Sequence, residues 1–166
     1  SNIAKEKASV VHAIEPDPLF IEELEKIDRI KIHKAAISDF EGISFIKSDG
    51  NTNSLSDYGE NPVKSLTFKS FLEINKIDKI DFLKVDCEGG EYDIFTEENI
   101  DWIKNNCNKI AGEIHIHSNE QKAKLKNLVA LIEKSGIKYK FESVDGYVIT
   151  KDTLLNLSDY YKEVLF

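Results

Sequence analysis

The stretch KIDFLKVDCEGGEYDIF, residues 79–95, carries the strongest fold signal in this chain. Its apolar part, residues 81–85, has the length and composition of a buried β-strand. Acidic side chains follow at Asp86, Glu88 and Glu91, with two glycines between the last two. Glycine lets the backbone turn sharply and approach a ligand closely. The stretch therefore predicts a buried strand, a tight turn and the start of a helix.

Three carboxylates so close in sequence repel one another unless a proton or a positive charge lies among them. A divalent cation, a substrate amine or the side chain of Lys84 could supply that charge. The alternative is helix capping, because acids in a first turn interact favourably with the helix dipole. Capping explains Glu91 well but not Asp86, which we expect inside the edge of the sheet. We interpret Cys87 as a small packed residue, since flanking negative charge makes its thiol a poor nucleophile.

Strands and helices also alternate towards the amino terminus. Residues 10–15 predict a buried strand, and Asp17 with Pro18 predicts the start of a helix. Residues 30–48 predict a strand, a turn and a second strand. Residues 49–62 are rich in Asn, Ser, Asp and Gly, which predicts a long polar loop of the kind that often shapes a binding pocket.

The alternation continues towards the carboxyl terminus. Residues 109–117 predict a strand, and Ser118 with Gln121 forms a capping-box pattern before a helix. Residues 138–150 predict an antiparallel hairpin around an Asp-Gly turn, and residues 152–166 a short helix or a packing tail. Strands that alternate with helices indicate an α/β fold with a mostly parallel sheet.

In open α/β sheets, ligands bind beyond the carboxyl ends of the strands, and this rule selects four acids. They are Glu15, Asp86, Glu88 and Glu113. Glu15 ends the first predicted strand, where an acid could accept hydrogen bonds from both hydroxyls of a ribose. A solvated acid before a helix explains Glu15 equally well.

Glu113, His115 and His117 alternate along one predicted strand, so their side chains share a face. His115 could act as a general base or bind a metal. A lone histidine is more often a hydrogen-bonded structural residue, and we assign that role to His117, His12 and His33.

The composition excludes several classes of protein. The chain has 166 residues, a net charge of −8 and an isoelectric point of about 5.1, which argues for one domain and against nucleic-acid binding. Two distant cysteines, Cys87 and Cys107, favour a reducing compartment. No membrane-length apolar run and no signal peptide are visible, so we expect a soluble, cytoplasmic protein with no membrane partner.

Three segments together resemble the FkbM family of methyltransferases. VVHAIEPDPLFIEELEK resembles the family's strand that ends in Glu-Pro, and KAAISDFEG its Ala-rich strand and Gly turn. IDFLKVDCEGGEYDIF resembles its specific signature, which has the form Lys-[Ile/Val]-Asp-x-Glu-Gly-x-Glu. The resemblance implies a Rossmann-like class I fold. It also implies an S-adenosylmethionine-dependent O-methyltransferase, acting on a hydroxyl of a sugar or other small metabolite.

The resemblance also implies roles for the selected residues. Glu15 would bind the cofactor ribose, and Asp86 would lie beside the methyl donor or the acceptor hydroxyl, with Glu88 in the same signature. Related O-methyltransferases hold a divalent cation at the two strand ends that Asp86 and Glu113 occupy here, which implies a Mg²⁺ site. Asp86, Glu113 or His115 would serve as the catalytic base.

The amino-terminal part departs from the family pattern of a strand, a glycine-rich turn and a helix. No glycine precedes Gly42 in this sequence. We therefore expect residues 1–166 to form a single methyltransferase domain that lacks its first strand and its Gly-rich loop. Two other functions remain open. The chain could be a non-catalytic, truncated Rossmann-like remnant that acts as a binding module, or an NAD-type Rossmann enzyme, which Glu15 would also suit.

Overall fold

The structure, a computed structural model, describes residues 10–49, 52–59, 61–116, 118–156 and 163–166. The chain divides into two compact units, Ser1–Thr67 and Phe68–Phe166. Strands and helices occur in both units, which confirms the predicted α/β class. The expectation of a single methyltransferase domain stays a prediction.

The first unit contains a two-stranded parallel sheet. Strand β1 (Val11–Ile14) pairs with β2 (Ile30–His33), and helix α1 (Pro18–Leu24) lies between them in the sequence. The side chain of Asp17 accepts a hydrogen bond from the backbone N–H of Leu19 at 2.8 Å. The predicted strand and the predicted helix start are therefore confirmed, but the four residues of β1 are half-buried and not buried as predicted.

A second sheet of the first unit has four strands, in the order β3-β6-β4-β5. Its strands are β3 (Ala35–Ile37), β4 (Gly42–Asp49), β5 (Thr52–Ser56) and β6 (Asn61–Leu66). β3 and β6 are parallel, whereas β4 is antiparallel to both of its neighbours. The turn predicted before Gly42 is confirmed, but the strand predicted ahead of it is divided into β2 and β3, which join different sheets.

The prediction that residues 49–62 form a long polar loop is wrong. Thr52–Ser56 forms an edge strand against β4, and β6 begins at Asn61. An edge strand needs backbone partners on one side only, so it tolerates the small polar residues that are typical of loops. The proposed contribution of this segment to an acceptor pocket stays a prediction.

The second unit contains a five-stranded mixed sheet, in the order β10-β9-β11-β8-β7. Its strands are β7 (Leu83–Val85), β8 (Ile110–His115), β9 (Phe141–Glu142), β10 (Val148–Ile149) and β11 (Glu163–Leu165). β7 and β8 are parallel, and β9 with β10 forms the predicted antiparallel hairpin. β11 lies between β8 and β9, antiparallel to both, so the end of the chain is a central strand of this sheet.

Five helices accompany this sheet among the described residues. They are α2 (Phe68–Asn75), α3 (Glu91–Ile94), α4 (Ile100–Asn106), α5 (Asn119–Ser135) and α6 (Lys151–Asn156). The helix predicted after the glycine pair is in fact two helices, because the side chain of Asn99 donates to the carbonyl of Ile94 at 3.0 Å where the first one ends. The short helix predicted near the end of the chain is confirmed as α6.

Parallel pairing is confined to three strand pairs among the described residues: β1 with β2, β3 with β6, and β7 with β8. The mixed α/β architecture is compatible with a Rossmann-like fold. The described strands form three sheets, however, and not the one mostly parallel sheet that the sequence predicts. None of the described helices combines the length and the apolar content that a bilayer crossing requires.

Candidate functional site

The candidate site lies in the second unit, at the carboxyl ends of β7 and β8, where Val85 is opposite Gly112. β7 is the edge strand of its sheet. Phe82 is 54% exposed, whereas Val85 is 1% exposed. Strand β7 is therefore shorter than the buried strand predicted for residues 81–85, and only the last of these residues is buried.

The turn after β7 adopts a left-handed backbone at two successive residues. Glu88 has a φ of 51° and Gly89 a φ of 109°. Glycine reaches this region without steric cost, whereas glutamate does not, so Glu88 is held there by its surroundings. The thiol of Cys87 is exposed, and its interpretation as a packed residue is wrong. The backbone N–H of Cys87 makes the inward contact, to Glu91 at 2.9 Å.

Asp86 is exposed at the open edge of β7, and the expectation that it lies inside the sheet is wrong. Its carboxylate accepts a hydrogen bond from Lys84 Nζ at 2.7 Å. Lys84 is thus one source of the positive charge that the acid cluster requires. Both side chains are well hydrated, and such a surface ion pair contributes only about 0–1 kcal/mol to stability.

Glu91 is the most deeply buried acid of the cluster, with 0% exposure. One carboxylate oxygen, Oε1, accepts from the N–H of Cys87 and lies 2.8 Å from Nδ1 of His115. The other oxygen, Oε2, is buried and has no hydrogen-bond partner among the described residues. Helix capping, which the sequence favoured for Glu91, does not account for these contacts. Glu91 is the residue of the site that the sequence pattern undervalued most.

His115 links the acids that follow the two strands. It is 2% exposed, and its Nδ1 faces Glu91. Its Nε2 lies 3.6 Å from a carboxylate oxygen of Glu88 and 4.0 Å from one of Glu113. The carbonyl of His115 accepts a hydrogen bond from the hydroxyl of Tyr92 at 2.8 Å, which ties the strand to α3. The imidazole is therefore held with Nε2 towards the carboxylates.

Burial and charge oppose each other at this pair. Burial lowers the pKa of His115, but the hydrogen bond to Glu91 and the charges of Glu91, Glu88 and Asp86 outweigh it and raise the pKa above its ordinary value of 6.5. Burial raises the pKa of Glu91, but the hydrogen bonds from His115 and from the N–H of Cys87 outweigh it and lower the pKa below 4.5. Both shifts favour a carboxylate beside an imidazolium.

This pair predicts a stability maximum in mildly acidic solution. The contribution of His115 is complete below pH 6.5 and is lost as the pH rises through its raised pKa. The contribution of Glu91 is complete above pH 4.5 and is lost as the pH falls through its lowered pKa. We expect the free energy of unfolding, measured with urea and a chelator present, to be highest between these values. If the free energy of unfolding of Glu91→Gln depends on pH in the same way as that of the wild type, the Glu91–His115 pair is not the cause of the maximum.

Three of the predicted site residues come together around one point. Asp86, Glu113 and His115 each offer one ligand atom, and these atoms lie within 4.8 Å of one another. The resemblance to related O-methyltransferases implied that Asp86 and Glu113 lie close enough to share a cation. In the structure, Asp86 follows β7, and Glu113 lies within β8. The set combines an imidazole nitrogen with two carboxylates, and nothing in it favours the predicted Mg²⁺ over other divalent ions.

Glu15 belongs to the first unit, directly after β1. One of its carboxylate oxygens accepts from the N–H of Asp17 at 2.8 Å, and its own N–H donates to the carbonyl of His33 at 3.0 Å. The carboxylate is therefore fixed at the end of a parallel strand, as the sequence predicted. Its role towards a ribose stays a prediction.

Two of the remaining histidines contact each other in the first unit. His12 and His33 stack with ring centroids 5.1 Å apart, and His12 Nδ1 lies 3.0 Å from His33 Nε2. Burial lowers the pKa of both residues, so the pair is compatible with the structural role that we assigned to them. His117 lies outside the described residues.

A cleft of about 480 Å³ occurs elsewhere in the second unit, between α3 and α5. Its lining includes Tyr92, Phe95, Leu128 and two lysines, Lys124 and Lys134. None of the acids around His115 lines it. Because ligands of open α/β sheets bind beyond the carboxyl ends of the strands, we place the candidate site there and not in this cleft.

The fold and the site are those of an α/β protein with titratable groups at the carboxyl ends of parallel strands. The family model of the FkbM methyltransferase domain matches residues 2–143 of this chain. The chain therefore belongs to the FkbM methyltransferase family, and the predicted resemblance is confirmed. Membership indicates a methyltransferase. Comparisons with curated proteins and with solved structures gave no match.

Proposed function

We propose that this chain is an S-adenosylmethionine-dependent O-methyltransferase domain that methylates a hydroxyl of a sugar or another small metabolite. Family membership supports methyl transfer. The observation that carries the finer proposal is the buried Glu91–His115 pair, with Glu113 beside Nε2 of the imidazole. A hydroxyl must lose its proton when it accepts a methyl group, and the carboxylate of Glu113 can receive that proton.

The residues have separable roles in this proposal. Glu113 accepts the hydroxyl proton, and Glu91 holds the imidazole of His115 in one orientation through Nδ1. When bound, S-adenosylmethionine supplies an electrophilic methyl group on a positively charged sulfonium. The carboxylates of Asp86 and Glu88 offer that charge a complementary environment. The placement of donor and acceptor contributes most of the rate acceleration, as expected for a transfer between two bound molecules.

Binding of S-adenosylhomocysteine, followed by calorimetry, tests the proposal. We expect the chain to bind it, and Glu15→Gln to weaken binding about tenfold or more, because hydrogen bonds to a charged group contribute about 1.5–3 kcal/mol. Glu22→Gln, an exposed acid on α1, is the matched control and should leave the affinity unchanged.

Three outcomes separate the candidate functions. Binding of S-adenosylhomocysteine that depends on Glu15 supports the methyltransferase. Binding of NAD in its place would support the Rossmann-type oxidoreductase that Glu15 also suits. If neither compound binds, the methyltransferase proposal fails, and a non-catalytic binding module becomes the better description.

The acceptor and the compartment follow from charge and cysteine content. A net charge of −8 disfavours polyanionic acceptors such as nucleic acids, and it favours a neutral or cationic small molecule. Cys87 and Cys107 are both free thiols in the structure, which fits the reducing conditions of the cytoplasm. We therefore place the proposed activity in the cytoplasm, with no nucleic-acid or membrane partner.

A further inference from the structure

We propose that Asp86, Glu113 and His115 bind a divalent first-row transition ion, with His115 coordinating through Nε2. Their ligand atoms lie within 4.8 Å of one another in the second unit. The inference uses residues of the proposed active site. Its test is metal binding, however, which does not depend on S-adenosylmethionine, so the two proposals can fail separately.

The donor set points to a transition ion and away from Mg²⁺. Mg²⁺ prefers oxygen ligands in near-ideal octahedral geometry and keeps several waters. An imidazole nitrogen with two carboxylates suits Zn²⁺, Mn²⁺ or Fe²⁺ instead. One ring nitrogen of His115 lies within 4.8 Å of carboxylate oxygens of Asp86 and Glu113, so an ion held by the two acids has this nitrogen within reach. A bound ion would orient and acidify an acceptor hydroxyl.

The spacing of the ligand atoms fits one ion. Nitrogen and oxygen ligands bind Zn²⁺ at about 2.0–2.2 Å, so two ligands of one ion lie about 3–4 Å apart. Nε2 of His115 is 4.0 Å from Oε2 of Glu113. This distance is too long for a hydrogen bond but suits two ligands of a shared cation. Side-chain rotation at exposed Asp86 can bring the third ligand within range.

A second observation, independent of the two acidic ligands, comes from the other side of the imidazole. Nδ1 of His115 lies 2.8 Å from Oε1 of Glu91, which is 0% exposed. A histidine that binds a metal nearly always donates its other ring N–H to a carboxylate, a carbonyl or a water, and this contact sets the tautomer that presents a lone pair to the ion. Glu91 is therefore a positioning residue for the metal ligand.

Lys84 does not prevent binding. Its Nζ lies 2.7 Å from Asp86 Oδ2, but the Lys84 side chain is 62% exposed and can move into solvent. A surface ion pair of this kind is weak, so a divalent ion displaces the lysine at little cost.

The experiment titrates the metal-stripped full chain with Zn²⁺, Mn²⁺ and Mg²⁺ in a calorimeter. We expect one Zn²⁺ per chain, weaker Mn²⁺ binding in keeping with the general affinity order, and no Mg²⁺ binding at the same concentrations. Asp86→Asn and Glu113→Gln should each lower the Zn²⁺ affinity about tenfold or more, because each removes a charged ligand. Glu97→Gln, an exposed acid of the same unit, should leave the affinity unchanged.

Two further variants distinguish this site from other ways of binding zinc. Cys87 is exposed beside Asp86, and Cys87→Ser should leave Zn²⁺ binding unchanged if its thiolate is not a ligand. Glu91→Gln should weaken binding about 10–100-fold, although Glu91 touches no ion. Nitrogen NMR of His115 should show a metal-bound Nε2 and a protonated Nδ1 when Zn²⁺ is present.

The outcomes decide the proposal. Saturable one-to-one Zn²⁺ binding that requires Asp86, Glu113 and the Nε2 of His115 supports it. No saturable binding of Zn²⁺ or Mn²⁺ overturns it, as does binding that survives both Asp86→Asn and Glu113→Gln or that is lost in Cys87→Ser. If Glu91→Gln fails to fold, the variants of Asp86 and Glu113 still decide the question, because neither residue is buried.

Discussion

Glu91→Ala is expected to lower the free energy of unfolding by about 3–5 kcal/mol, as when one partner of a buried ion pair is removed. Glu91 is 0% exposed and accepts from both the imidazole of His115 and the N–H of Cys87. Without the carboxylate, the buried imidazole of His115 and the partly buried N–H of Cys87 lose their acceptor. The loss is a large fraction of the ordinary stability of a domain, about 5–15 kcal/mol. Urea unfolding in the presence of a chelator measures it.

The same variant should lower the pKa of His115, because Glu91 contributes the hydrogen bond and the largest charge that raise it. A histidine titration by NMR reports this change separately from stability. Glu97→Ala is the matched control, because the Glu97 side chain is 85% exposed, and we expect its stability to change by no more than about 0.5 kcal/mol. If Glu91→Ala and Glu97→Ala lose the same stability, the buried Glu91–His115 pair does not stabilise the fold more than an exposed acid does.

Gly112→Ala is expected to destabilise the protein by about 3 kcal/mol or more, at the upper end of the range for overpacking. A Cβ at position 112 would lie 1.9 Å from the carbonyl oxygen of Val85 and 3.1 Å from the ring of Phe166. The first contact is with backbone, so it can be relieved only if β7 and β8 separate. Gly112 also exchanges two 3.0 Å backbone hydrogen bonds with Phe166, which limits how far β8 can move.

This substitution should also disturb the site, because Val85 precedes Asp86 and the two strands carry the proposed ligands. We therefore expect Gly112→Ala to lose Zn²⁺ affinity as well as stability, both measured on the folded fraction. Gly42→Ala is the control, because its nearest contact is 3.3 Å from the ring of exposed Phe40, which can move. A Gly112→Ala protein with wild-type stability would show that the approach of β7 to β8 is not as close as described.

Elements with signals inside their own sequence were predicted correctly. Helix α5 is the clearest case, because Ser118 accepts from the N–H of Gln121 at its start and Gly136 ends it with a φ of 74°. Its four predicted apolar residues, Leu125, Leu128, Val129 and Ile132, are all buried. These features depend on neighbours within one or two helical turns, so a sequence pattern contains them.

Elements that depend on a distant partner were missed. Thr52–Ser56 has the composition of a loop and is a strand because β4 supplies its backbone partners. Glu163–Leu165 is a central strand because its backbone pairs with β8 on one side and with β9 on the other. Backbone hydrogen bonds do not depend on side-chain type, and composition therefore does not record them.

The family and the acidic residues of the site could be predicted from the sequence. The close approach of Asp86, Glu113 and His115 depends in addition on the parallel pairing of β7 with β8. The exposure of Asp86, and the burial of Glu91 against His115, 24 residues away, were not predictable from the sequence. Burial and pairing at that separation are set by packing between elements. The local pattern, in which Glu91 is one more acid in a first helical turn, does not contain that information.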